Sequence, residues 1–103
     1  SIAGKWQLEG GADGPNRAGF DEFCVWQLTA AGKGSRYADP KLHLNGKAMD
    51  GLDKGYGPDI FLDQIQRFIS KNKREPFCVY WPEVLTHNPF EPTPDSPPGR
   101  PKE

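Results

Sequence analysis

The sequence predicts an α/β fold: a partial parallel or mixed sheet with one main helix over about 58–71 and an extended, proline-rich C-terminal end. Three observations carry this prediction. Phe61, Leu62, Ile65, Phe68 and Ile69 recur at helical spacing and make an apolar stripe. A short apolar run, Phe77-Cys78-Val79-Tyr80-Trp81, follows a few residues later and reads as a buried strand, so that helix and strand form half of a β-α-β unit. Seven of the 11 prolines lie from Pro82 onward, which keeps that end out of regular ladders.

Taken in order, Ser1-Ile2-Ala3-Gly4 reads as the end of a strand that delivers Lys5-Trp6-Gln7-Leu8 to its carboxyl end. Residues 10–16, rich in glycine and closed by Pro15, read as a loop. The aromatic-rich run from Phe20 to Trp26 reads as a short strand. Residues 30–35 are glycine-rich and read as a mobile connection. Residues 36–47 predict a strand and an Asn45-Gly46 hairpin turn. Leu42 and Leu44 alternate with Lys41, His43 and Asn45, which puts the leucines on a packed face and His43 on a wet one. Pro58 suits the first turn of the main helix and Asp59 its positive end, while Lys71, Lys73 and Arg74 gather at the negative end. Pro76 marks the start of the apolar run that follows.

The totals set bounds. The chain has 103 residues, the size of one small domain, and a net charge of -1 with 13 basic and 14 acidic residues. No basic field argues for nucleic acid, and no apolar run reaches membrane length. Hydrophobic residues are 35% and mean hydropathy is -0.76, with the apolar residues concentrated in 60–69 and 77–85. So thin a core predicts a piece of something larger, or a domain that needs a partner. Open sheet edges in such a piece predict self-association. Cys24 and Cys78 lack C-x-x-C spacing and sit in apolar surroundings, so both are expected to be buried thiols.

No set of Cys and His with metal-ligand spacing, no phosphate-binding glycine loop and no nucleophile elbow is present. Lys5, Gln7 and His87 remain as candidates. His87 follows the apolar run, and ligands in open α/β sheets sit outside the carboxyl ends of strands. A Lys and a His at neighbouring strand ends would make a donor-rich cationic pocket suited to sulfate or phosphate. The alternatives are that His87 caps a turn and that Lys5 is a solvated surface residue.

Four stretches carry a family resemblance: GKWQL at 4–8, GFDEFCVW at 19–26, YGPDIFLDQIQRFI at 56–69 and PFCVYWPEVLTHNPFEPTPDS at 76–96. In this order the chain resembles an internal segment of an arylsulfatase-like member of the sulfatase family, in the alkaline phosphatase superfamily. The first stretch is similar to the family's second signature, usually G-K-W-H-L, and the last to its central strand and His-x-Pro loop. The resemblance implies a fragment of a larger α/β sulfatase domain, with residues 1–89 a partial catalytic domain and 90–103 an extended segment. It implies that the parent enzyme hydrolyses sulfate esters, that Lys5 contacts the sulfate, and that His87 contacts the sulfate or the leaving-group oxygen. Gln7 stands at the signature His; as a substrate-binding residue it can donate and accept hydrogen bonds but not take a proton near neutral pH.

The family's formylglycine nucleophile and calcium are implied for the parent enzyme, but their motifs lie outside this segment. Cys24 is followed by Val-Trp-Gln and Cys78 by Val-Tyr-Trp, so neither fits the nucleophile motif. Nothing matches Asp13, Asp21 or Asp59 to the family's metal cluster. The segment alone is therefore expected to be inactive. A periplasmic or extracellular setting follows from the resemblance only. A non-catalytic oxyanion-binding or interaction module of the same shape, or a related phosphodiesterase or phosphomutase, are the competing readings.

Overall fold

The computed structural model describes residues 1–28, 34–49 and 55–99. Strand β1 (Ile2–Lys5) pairs in parallel with β2 (Phe23–Trp26), placing Ile2 opposite Phe23 and Lys5 opposite Trp26. Strand β3 (Leu42–Leu44) runs antiparallel to β2, and β4 (Lys47–Ala48) antiparallel to β3, so the sheet order is β1-β2-β3-β4. The fold is therefore α/β with a mixed sheet.

The β3–β4 turn is the predicted Asn45-Gly46 pair, with φ of 49° and 85°. Both angles lie in the left-handed region that a two-residue hairpin turn requires. Asn45 also extends the ladder to β2. Its Oδ1 accepts the Phe23 N–H at 2.8 Å, and its own N–H donates to the Phe23 carbonyl at 2.8 Å.

The loop after β1 is more ordered than its glycines predict. It holds a 3₁₀ turn (Gly11–Asp13) and the single-turn helix α1 (Gly14–Arg17), in which Gly14 and Pro15 are buried. The glycine-rich stretch over 30–33 lies outside the described residues. The main helix, α2 (Gly57–Asn72), has a proline in its first turn, Asp59 near its N-terminus and Lys71 in its last turn, as predicted. Residues 90–99 form no helix or strand; the rest of the proline-rich end lies outside the described residues.

Alternation along the strands sends side chains to two cores. On one face Ala3, Cys24, Trp26 and Leu42 pack with Phe61 and Ile65 of α2 and with Tyr37, Met49 and Val84. On the other, Ile2, Phe23 and Val25 pack with Trp6 and Leu28, with Phe20 partly buried beside them. Most of the core thus comes from outside 60–69 and 77–85. The sheet supplies what those stretches lack.

Four expectations are corrected by this packing. Residues 77–81 are not a buried strand: Phe77, Tyr80 and Trp81 are 46%, 55% and 41% exposed. The segment lies along the outer side of β1, bridged to it in parallel at Ile2 and Tyr80, and nothing described covers its far side. For the same reason Cys78 is exposed, whereas Cys24, in the central strand, is buried. The stripe of α2 is narrower than predicted. Phe61, Ile65 and Phe68 are buried, while Leu62 and Ile69 turn outward. His43 is half-buried rather than wet, because its pairing opposite Val25 carries it over the second core, and its Nδ1 finds no partner among the described residues.

Candidate oxyanion site

The geometry of the site follows from how residues 80–82 run beside β1. The Ala3 N–H donates to the Tyr80 carbonyl at 3.2 Å, the Tyr80 N–H to the Ser1 carbonyl at 2.9 Å, and the Lys5 N–H to the Pro82 carbonyl at 2.9 Å. This close approach needs Gly4. Its φ is +130°, and a Cβ there would run into the Pro82 carbonyl oxygen. Parallel running brings the carboxyl ends of β1, β2 and segment 80–82 to one end of the sheet, where α/β sheets present ligand sites.

Lys5 is the last residue of β1 and is half-buried. Two residues on, Gln7 is exposed and has a left-handed φ of 50°. Gln27, just past β2, does the same with φ 60°. Both strands thus leave the sheet through a non-glycine left-handed residue, a conformation that clusters at functional sites. Gln7 and Gln27, with Leu8, Glu9, Gly10, Gly11 and Leu28, line a cavity of about 550 Å³.

His87 lies five residues past Pro82, exposed, in a stretch without helix or strand. Its backbone is held by the buried Tyr37. The Tyr37 hydroxyl donates to the His87 carbonyl at 2.6 Å and accepts the His87 N–H at 3.0 Å, with the Val84 carbonyl 3.4 Å away. The imidazole Nδ1 is 2.7 Å from the Asn88 carbonyl oxygen. A carbonyl can only accept, so Nδ1 carries a proton and Nε2 is the ring atom left to face a ligand. At the root of the same loop, the Glu83 carboxylate accepts the Val84 N–H at 2.7 Å.

Two further residues belong to this end of the sheet. The Arg36 guanidinium stacks over the Trp26 ring at 4.7 Å from its centroid, and Trp26 is the partner of Lys5 across β1 and β2. Arg36 Nη1 is buried and has no acceptor among the described residues. Neither Arg36 nor Tyr37 stands out in the sequence. Their contacts reach ten residues back to Trp26 and fifty forward to His87, and no local pattern encodes them.

The structure therefore brings Lys5, Gln7 and the chain leading into His87 to one end of the sheet. It joins none of the three side chains to another by a hydrogen bond. Among the described residues no group of three or more His, Cys, Asp or Glu side chains could hold a metal ion. Cys24 is enclosed in the sheet, where burial pushes its thiol up to about 12, and Cys78 faces solvent on the edge segment.

At the level of class, comparison with known proteins supports a sulfatase-like segment. One such protein is the N-acetylglucosamine-6-O-sulfatase of Bacteroides thetaiotaomicron, to which the chain is 28% identical over 95 residues. That alignment covers 91% of this chain and 15% of the relative, so the chain spans about 15% of the length of the curated protein that it matches. No family model matches, and no solved structure matches. Among the described residues no helix is long and apolar enough to cross a membrane.

Proposed function

We propose that this chain supplies the sulfate-side contacts of a sulfate ester hydrolase, with Lys5 and His87 as the contacting residues and Gln7 as a neutral hydrogen-bonding neighbour. The observation that carries the reading is the parallel run of residues 80–82 along β1, which ends Lys5 and the His87 loop on the same side of the sheet. A Lys ammonium aimed at a sulfuryl group offsets negative charge on its oxygens. When doubly protonated, the imidazole of His87 can give its Nε2 proton to a departing alkoxide while Nδ1–H stays on the Asn88 carbonyl. Gln7 can orient a sulfate oxygen or ester hydroxyl but cannot exchange a proton with it. The formylglycine nucleophile and calcium of such an enzyme would come from outside the described residues. By analogy with the matched relative, the ester would be a sulfated sugar.

The test is a sodium sulfate titration of the chain followed by NMR at its two histidines, with His43 as the internal control. The His87 imidazole is expected to move while that of His43 stays, and Lys5→Ala and His87→Ala are each expected to weaken the apparent affinity about tenfold. The same response at both histidines, or affinity unchanged in both variants, would overturn the reading. Hydrolysis of an aryl sulfate by this chain, abolished by His87→Ala, would show that the chemistry itself lies here. Sulfate binding with no hydrolysis by any longer polypeptide containing the segment would favour a non-catalytic oxyanion-binding module.

A further inference from the structure

We propose that Tyr37 is a positioning residue for His87, setting where the imidazole stands relative to the end of β1. The inference rests on the reading of His87 as a sulfate contact. Its ground is the double hydrogen bond. One hydroxyl donates to the carbonyl and accepts from the amide of the same residue, at 2.6 and 3.0 Å. Two bonds to one residue fix both the place and the orientation of its backbone, which a single bond would leave free to pivot. The Tyr37 ring is itself immobilised, because it is buried in the same core as Val84, Phe61 and Trp26. Its backbone is held too: the Tyr37 N–H donates to Ser35 Oγ at 2.9 Å, and that hydroxyl donates to the Glu91 carboxylate at 2.7 Å. Residues 35–37 thus grip the His87 loop at two places.

The loop has few other anchors. Residues 81–90 enter no helix or strand, and His87, Asn88 and Pro89 are exposed. Among the described residues the hydrogen bond of the imidazole goes to Asn88, inside the loop, so it ties the ring to the loop and not to the sheet. Wherever the loop goes, the ring goes with it. Tyr37 converts a local ring–loop bond into a fixed position relative to the core, as a side chain that supports a functional residue must. Tyr37→Phe keeps the packed ring and removes both bonds. Water can satisfy the freed amide and carbonyl at this exposed position, so the fold is expected to survive.

Three measurements test this on the whole chain. In the wild type the His87 amide proton, although in an exposed loop, is expected to exchange with solvent slowly; free exchange would overturn the proposal whatever the variants do. In Tyr37→Phe the His43 signals and overall amide dispersion are expected to persist, while the His87 signals move. Sulfate affinity is expected to fall about tenfold, and Tyr37→Phe combined with His87→Ala is expected to bind no more weakly than His87→Ala alone. A merely structural Tyr37 would lower the melting temperature yet leave sulfate affinity and the His87 response intact below the melt, and that result would overturn the proposal. Additive losses in the double variant would do the same. If His87→Ala alone leaves affinity unchanged, the reading of His87 as a sulfate contact falls first, and the role of Tyr37 falls with it.

Discussion

The two cysteines show how one residue type is split by position. Cys24 lies in the central strand with its Sγ 3.9 Å from Met49 Sδ, and only 2% of it is exposed. Desolvation disfavours the thiolate, so its pKa rises from the ordinary 9.0 to about 12. The folded state therefore keeps a proton that the unfolded chain releases above about pH 9. The Cys24 contribution to stability is fully present below pH 9 and is lost as pH rises from 9 to 12. In that window the wild type is expected to lose up to about 1.4 kcal/mol per pH unit more than Cys24→Ala, measured as the difference between their urea unfolding curves. Equal slopes would mean that the thiol is not desolvated. Cys78 provides the complementary reading: being exposed, it should react with iodoacetamide in the native protein, and Cys24 only once the sheet opens.

At the scale of elements, α2 is held by one narrow face. Phe61 is fully buried, whereas Leu62 is 38% exposed. Phe61→Ala is expected to cost about 3–5 kcal/mol, since it removes a ring from the core and leaves a cavity, while Leu62→Ala should cost under about 1 kcal/mol. Denaturant midpoints would decide it, and similar losses at both positions would mean that the helix packs differently. This face was legible in the sequence because helical periodicity reports burial directly. The Asn45-Gly46 turn was legible for a different reason, namely that few residue pairs tolerate two successive left-handed conformations. Legibility stopped where burial depends on distant partners. Trp6, Tyr37 and Met49 enter the core from irregular segments, and Cys78 and Tyr80 leave it because no described residues form a layer beyond them. An apolar run shows that a segment can be buried, but not that something is there to bury it. In the candidate site, strand ends pointed to Lys5 and His87, whereas Tyr37 and Arg36 act across the fold and carry no periodic signal.

At the scale of the whole molecule, the exposed side of segment 77–82 is expected to govern behaviour in solution. Its inner groups pair with β1 through Tyr80 and Pro82, so the alternate groups, those of Val79 and Trp81, face outward. Phe77, Tyr80 and Trp81 add aromatic surface along the same line. An extended, apolar edge without a covering layer is a template for strand pairing. Residues 77–81 include no charge, although Pro76 and Pro82 bound them. In a solution of this chain alone, the partner available to such an edge is a second copy. Sedimentation is therefore expected to show species heavier than 11.5 kDa that grow with concentration. Trp81→Lys, which places a charge on the open edge and removes apolar surface, should shift the population toward monomer without lowering the melting temperature by more than a few degrees. A wild type that stays monomeric at high concentration, with a sharp cooperative melt, would show that the edge is protected by some feature of the chain itself. The same edge lies next to the Lys5–Pro82 hydrogen bond, so pairing along it would also stiffen the end of the sheet at which the His87 loop begins. Sulfate affinity is thus expected to rise with protein concentration in the wild type and to be independent of it in Trp81→Lys.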